Sequence, residues 1–276
     1  MRVTGKEHAN ARGTAAVRAF DLAALRARPD CLAVVKGLAQ ADADYAAGKE
    51  ISSGHAAPHG ASAHDTFLRA AGEYATAEKA LTTPGDRRLR GQVQLALAGI
   101  EYFDLQDWAR TADWAQVAGD TLRSDDPYAR ARAEELLAAA WIEIGRSNAG
   151  GQSVAGHATP SADLLMRARS VLERLSRFHL ERGETYDGAL QLNYLAAADL
   201  YKSRFDDCVA ATMLSSSLFE KLRERQLLGV AWQDRALCLW GLGRVPEARR
   251  WFERALGEIG PEPYPRLYLA VTNNTA

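Results

Sequence analysis

The sequence predicts an all-α chain: antiparallel helix hairpins stacked into a right-handed superhelix with a period of about 40 residues. Three observations carry that prediction. The stretch "RALCLWGLGRVPEARRWFERALGEIG" reads as helix, tight turn, helix, and one period before its Ala236, Gly243 and Ala248 stand Ala196, Ser203 and Cys208, each again small. Self-similarity at a spacing of a few tens of residues is the signature of a solenoid. Small residues recur at helical spacing with Trp108, Trp232 and Phe252 between them, which is what closely approaching helices need. Apolar residues make up 47% of the 276 and charged residues 25%, so the chain can bury a large core.

The elements follow in order. Residues 1–30 are read as an N-terminal helix and tail, and 31–276 as repeats. A first, weaker hairpin pairs "DCLAVVKGLAQADADYAAG" with "TFLRAAGEYATAEKAL", split by an insert loop near 49–62. "LALAGIEYFDLQDWARTADWAQVAGDTL" repeats the phase with Gly99, Tyr102, Trp108, Ala115 and Ala118. "EELLAAAWIEIG", carrying Ala138, Trp141 and Gly145, pairs with "ADLLMRARSVLERLSRF", carrying Ala168, Leu172 and Leu175, across a second insert loop near 146–160. Then come "LNYLAAADLYKSRFDDCVAATMLSSSLFEKL" and the hairpin over 235–260. "PEPYPRLYLAVTNNTA" opens another first helix, with Ala276 in phase one period after Ala236, so the last repeat is expected to be truncated. Leu267, Leu269 and Val271 would lack a covering helix, and that end is expected to self-associate.

The run Trp232, Ala236, Ala248, Phe252, Ala255 with Pro261 after it resembles the tetratricopeptide repeat, over most of residues 31–276. The spacing exceeds that family's usual repeat of about 34 residues, which implies longer helices. "DLQDWARTADWA", "HLERGETYDGALQLNYLAAADLY" and "PYPRLYLAVTNNTA" resemble the N-terminal repeats of bacterial CHAT-domain proteins, which end in a caspase-like protease domain. That resemblance implies a regulatory or substrate-recruiting arm of a larger protease or signalling protein.

A net charge of −1 gives no basic excess for nucleic acid or an anionic membrane surface. Cys31, Cys208 and Cys238 are too few and too scattered for a disulfide framework or a zinc site, and a reducing cytoplasm is the simplest setting. Cys208 and Cys238 read as buried thiols filling small slots. His55, His59 and His64 could converge on a metal, but "ISSGHAAPHGASAH" has no thiol or carboxylate and reads as a solvated loop. "GLGRV" and "NAGGQSVAG" lack the features of a phosphate loop. The chain is thus expected to be non-catalytic, without metal or cofactor, and to bind a protein or peptide in a concave groove. Asn193, Gln233 and Asn273 recur at the same period, each on the turn before a small packing residue, Ala196, Ala236 or Ala276. In the tetratricopeptide pattern this position looks into the groove, where amides could pair with both N–H and C=O of an extended peptide. The alternative is that they only bind the neighbouring helix. Tyr201 and Trp240 complete the candidate set, although core packing is the favoured reading for Trp240.

Overall fold

The computed structural model describes residues 31–54, 62–122, 126–149 and 161–260. Among them are ten α-helices and no strand: α1 (Leu32–Ser52), α2 (Ala63–Ala80), α3 (Arg87–Ile100), α4 (Trp108–Thr121), α5 (Pro127–Ala149), α6 (Ser161–Leu180), α7 (Thr185–Tyr201), α8 (Phe205–Leu222), α9 (Arg225–Gly241) and α10 (Val245–Ile259). The N-terminal tail, His55, His59, Asn273 and the expected truncated helix lie outside the described residues. Helix runs on through 49–52 and 146–149, where the sequence suggested loop. Among the described residues no helix is long and apolar enough to cross a membrane. The chain divides into two compact units, Met1–Ala140 and Trp141–Ala276.

In the N-terminal unit, α1 packs on α2, α2 on α3 and α3 on α4. The stripe that drives the first contact is Val34, Leu38, Ala41, Tyr45 and Gly48, alternating steps of four and three along one face. It meets Phe67, Ala70, Tyr74 and Ala77 of α2 in one cluster that continues through Val93, Leu97 and Ile100. The second half of α3, Gly91 to Ile100, is buried all round, as the middle helix of a stack must be. Helices α2, α4 and α5 each begin at a polar side chain. Ser62 Oγ accepts from Asp65 N (3.0 Å), Asp107 from Arg110 N (3.0 Å) and Asp126 from Ala129 N (3.0 Å). Before α3, Asp86 accepts from Thr83 N and Oγ1 (3.3 and 2.6 Å). The Ser62, Asp107 and Asp126 acceptors satisfy amides the first turn leaves open. Between α3 and α4 the chain makes a π-helical turn, Glu101–Leu105, and leaves it through left-handed Gln106.

The C-terminal unit packs α6 on α7, α7 on α8, α8 on α9 and α9 on α10; α7 also touches α9, the first helix of the next hairpin. Its second helices bury the same four positions: Ala168, Leu172, Leu175 and His179 on α6, Cys208, Thr212, Ser215 and Phe219 on α8, Ala248, Phe252, Ala255 and Ile259 on α10. Fully burying a side chain such as Phe252 contributes about 2–3 kcal/mol. The turns recur as regularly. Gly183, Ser203, Arg223 and Gly243, evenly spaced along the chain, all hold positive φ (74°, 56°, 58° and 73°). The next amide in each case reaches back to the carbonyl five residues earlier: Glu184 to His179, Arg204 to Asp199, Glu224 to Phe219, Arg244 to Leu239, at 2.8–3.0 Å. That is the Schellman closure of a helix C-terminus. Ser203 and Gly243, read from sequence as packing residues, are therefore turn residues, small for conformational reasons. Close packing is served by other glycines. A methyl on Gly229 would overlap Ile259, and one on Gly241 would overlap Phe205.

Cys208 and Cys238, both fully buried, are joined as a disulfide with Cα atoms 6.1 Å apart. This corrects the reading of two separate thiols. The hairpin order brings the start of α8 against the end of α9, so two cysteines far apart in sequence come into contact. It also removes the cysteine argument for a reducing compartment.

Candidate functional site

The first helices of the C-terminal unit carry the candidate residues. Asn193 lies on the α7 stripe that also holds Ala189 and Ala196, both fully buried, so it is itself only 8% exposed. Its Nδ2 donates to Asp234 Oδ2 of α9 at 3.5 Å. The amide thus meets the residue beside Gln233 rather than Gln233 itself, which is half-buried. Asn193 Oδ1 is buried with no hydrogen-bond partner among the described residues. Burial pushes the Asp234 carboxyl up to about 7, and the Asn193 donation only partly opposes that. Tyr201, at the end of α7, is 39% exposed; burial of its ring raises its phenol, Arg146 opposes this, and Asp234 and Glu143 reinforce it. Glu143 is held by Arg146 at 2.6 Å on α5.

Trp240 ends α9 and is 54% exposed, which corrects the core-packing expectation. The buried stripe of α9 closes at Ala236 and Leu239, and the next residue turns off it into solvent. The other two tryptophans of this hairpin pair with each other, Trp232 to Trp251 at 6.0 Å, against the core formed by Ala236, Phe252, Ala255 and Ile259.

Sequence reasoning missed the buried charges, since each sits at a position with apolar periodicity. Asp199 is 1% exposed and is held by Arg169 (2.9 Å) and Arg204 (3.3 Å). Arg235, 8% exposed, stacks on Trp251 at 4.2 Å and donates to Ser216 Oγ at 3.0 Å. Burial and then neighbouring Arg254 push its guanidinium down. In the N-terminal unit, Glu101 opens the π-turn with 1% exposure. Burial raises its carboxyl to about 7, Arg110 opposing at 3.0 Å and Asp107 reinforcing. Lys49 pairs with Asp104 in the same turn. Only the π-turn itself could have flagged this place, and such turns have no sequence signature.

His179, Glu184 and Asp187 bring ligand atoms within 4.8 Å of one another. His179 Nδ1 lies 2.6 Å from Glu184 Oε2, and Glu184 and Asp187 stand at the N-terminus of α7, where carboxylates complement the helix dipole. The His179–Glu184 contact and the pull of the helix dipole on the two carboxylates account for this trio without an ion. An open groove lined by Leu81, Thr83, Arg87, Arg90, Val117 and Asp120 lies in the N-terminal unit and mixes charge with apolar surface. Buried Cys208 and Cys238, tied to each other, offer no thiolate for nucleophilic chemistry. No protein-family model matches the chain, and no curated protein matches it in sequence.

Proposed function

We propose that this chain is a non-catalytic scaffold whose C-terminal unit holds a protein or peptide partner on the first-helix face of α7 and α9. In this reading the hairpins form a right-handed, tetratricopeptide-like superhelix with the period seen in the sequence, and the first helices line its concave side. The observation that supports it most is the exposure of Tyr201 (39%) and Trp240 (54%) at the ends of successive first helices, in a unit whose Phe219 and Phe252 are fully buried. Large exposed aromatics are the side chains that most often carry binding energy at protein interfaces. A net charge of −1 favours a protein partner over nucleic acid.

The test is a capture experiment with Tyr201→Ser/Trp240→Ser beside wild type. Both residues lie outside the buried core, so the melting temperature should hold. The expected result is a partner retained by wild type and lost by the double variant. Retention of the same partner in the same amount by both would overturn the proposal.

A further inference from the structure

We propose that Asp234 and Asn193 form a receptor for one basic side chain, a lysine ammonium or an arginine guanidinium, of the bound partner. This rests on the scaffold reading above and adds the partner's chemistry to it.

Charge bookkeeping in the unit leads here. Asp199 is matched by Arg169 and Arg204, Glu143 by Arg146, Glu258 by Arg225 and Glu247 by Arg244. Asp234 has no such match among the described residues: its one hydrogen bond is the long donation from Asn193, and no cation acts on its carboxyl. A half-buried carboxylate left in that state loses hydration without recovering it from a partner. Once ionised, above about pH 7, Asp234 carries a negative charge that no cation among the described residues offsets, so a single bound cation neutralises it.

The hydrogen-bonding valence points the same way. The site offers acceptors: the Asp234 carboxylate and Asn193 Oδ1, which is buried and without a partner among the described residues. An ammonium or a guanidinium carries only donors, three and five respectively. A carboxylate or phosphate ligand would meet a like charge, and a neutral amide would leave Asp234 uncompensated.

The experiment uses the full chain and three blocked pentapeptides, Ala-Ala-X-Ala-Ala with X as Lys, Gln or Glu. Each is titrated while the Asn193 side-chain amide is followed by NMR. The expected result is saturable movement of that resonance by the Lys peptide, with affinity at least about tenfold above the Gln peptide, or about 1.4 kcal/mol. Asp234→Asn, checked for an unchanged fold by its melting temperature, should bring the two peptides level. The comparison between peptides on wild type needs no variant at all. Equal binding of the Lys and Gln peptides at Asn193 would overturn the receptor while leaving the scaffold reading standing. Preference for the Glu peptide, or no movement with any of the three, would likewise overturn the receptor. The scaffold reading is judged separately, by the Tyr201/Trp240 capture with a natural partner.

Discussion

In the C-terminal unit the chain enters each of α7 to α10 through a short left-handed turn, and one backbone amide closes the helix behind it. In the N-terminal unit α2, α4 and α5 start instead at a side-chain acceptor, Ser62, Asp107 or Asp126. The difference has consequences beyond the turns. A backbone closure repeated at an even spacing keeps the helices in one phase, so Ala168, Cys208 and Ala248 fall at one structural position. Side-chain caps impose no such spacing, and the N-terminal unit uses that freedom for a π-turn and an α3 buried on all sides from Gly91 to Ile100. Regularity leaves the first-helix face of the C-terminal unit uniform, so its departures, Trp240, Tyr201 and unmatched Asp234, stand out.

The largest expected effect belongs to the C-terminal unit alone. Reducing the Cys208–Cys238 bond, whose partners are 30 apart in sequence, reopens a long loop and should lower stability by about 3 kcal/mol in urea unfolding. The loss should appear in a transition reported by Trp232 and Trp251. An equal shift in probes of α1 to α4 would show that the two units do not unfold separately.

Close glycine contacts occur in both units, so they should respond alike. Gly229→Ala drives a methyl into Ile259, and Gly91→Ala places one 2.6 Å from Leu122. Each should cost about 1–3 kcal/mol by overpacking. Thermal melts of the two variants check this.

Each unit also holds one raised carboxyl. Glu101 and Asp234 have ordinary values of 4.5 and 3.8 and are both pushed to about 7 in the fold, so between those limits the folded state binds the extra proton. Stability must therefore fall as pH rises from about 4 to about 7, with the loss complete above. Glu101→Gln should raise stability at pH 8 by on the order of 1 kcal/mol and change little at pH 4. Asp234→Asn should act in the same direction but less, because its carboxyl is partly exposed. A gain confined to low pH would contradict the sign.

How much of this was legible depended on what each position has to do. The all-α class and most of the helices could be read because stripes such as Ala248, Phe252, Ala255 and Ile259 keep their spacing. The turns were only half legible: Gly183 and Gly243 announce a positive φ, but Ser203 and Arg223 do not. Asp199 and His179 occupy core positions that Leu239 and Ile259 fill in the last hairpin, and Arg169 and Arg204 for the one and Glu184 for the other make them tolerable there. The repeat phase puts Asn193 one turn before Ala196, but the stripe it shares with Ala189 and Ala196 is a packing stripe, so its amide is largely covered. Its meeting with Asp234 depends on an offset of one residue between α7 and α9, which no spacing rule supplies.

The smallest effects probe the turns and caps directly. Ser62→Ala and Asp107→Ala should each cost about 1 kcal/mol through lost caps. Ser203→Gly and Arg223→Gly should stabilise the C-terminal unit by about 0.5–1 kcal/mol, since glycine adopts their positive φ without strain. Destabilisation by both glycines would show that these turns are held by side chains after all.

The central claim, that binding belongs to the first-helix face of the C-terminal unit, is tested most directly by site-specific photocrosslinking. A photoreactive phenylalanine analogue is placed at Trp240 in one protein and at Tyr128 of the N-terminal unit in another. The two sites are equally exposed, at 54% each. The account predicts a discrete partner adduct from position 240 and none from position 128. The same adducts from both positions, or an adduct from position 128 alone, would contradict it.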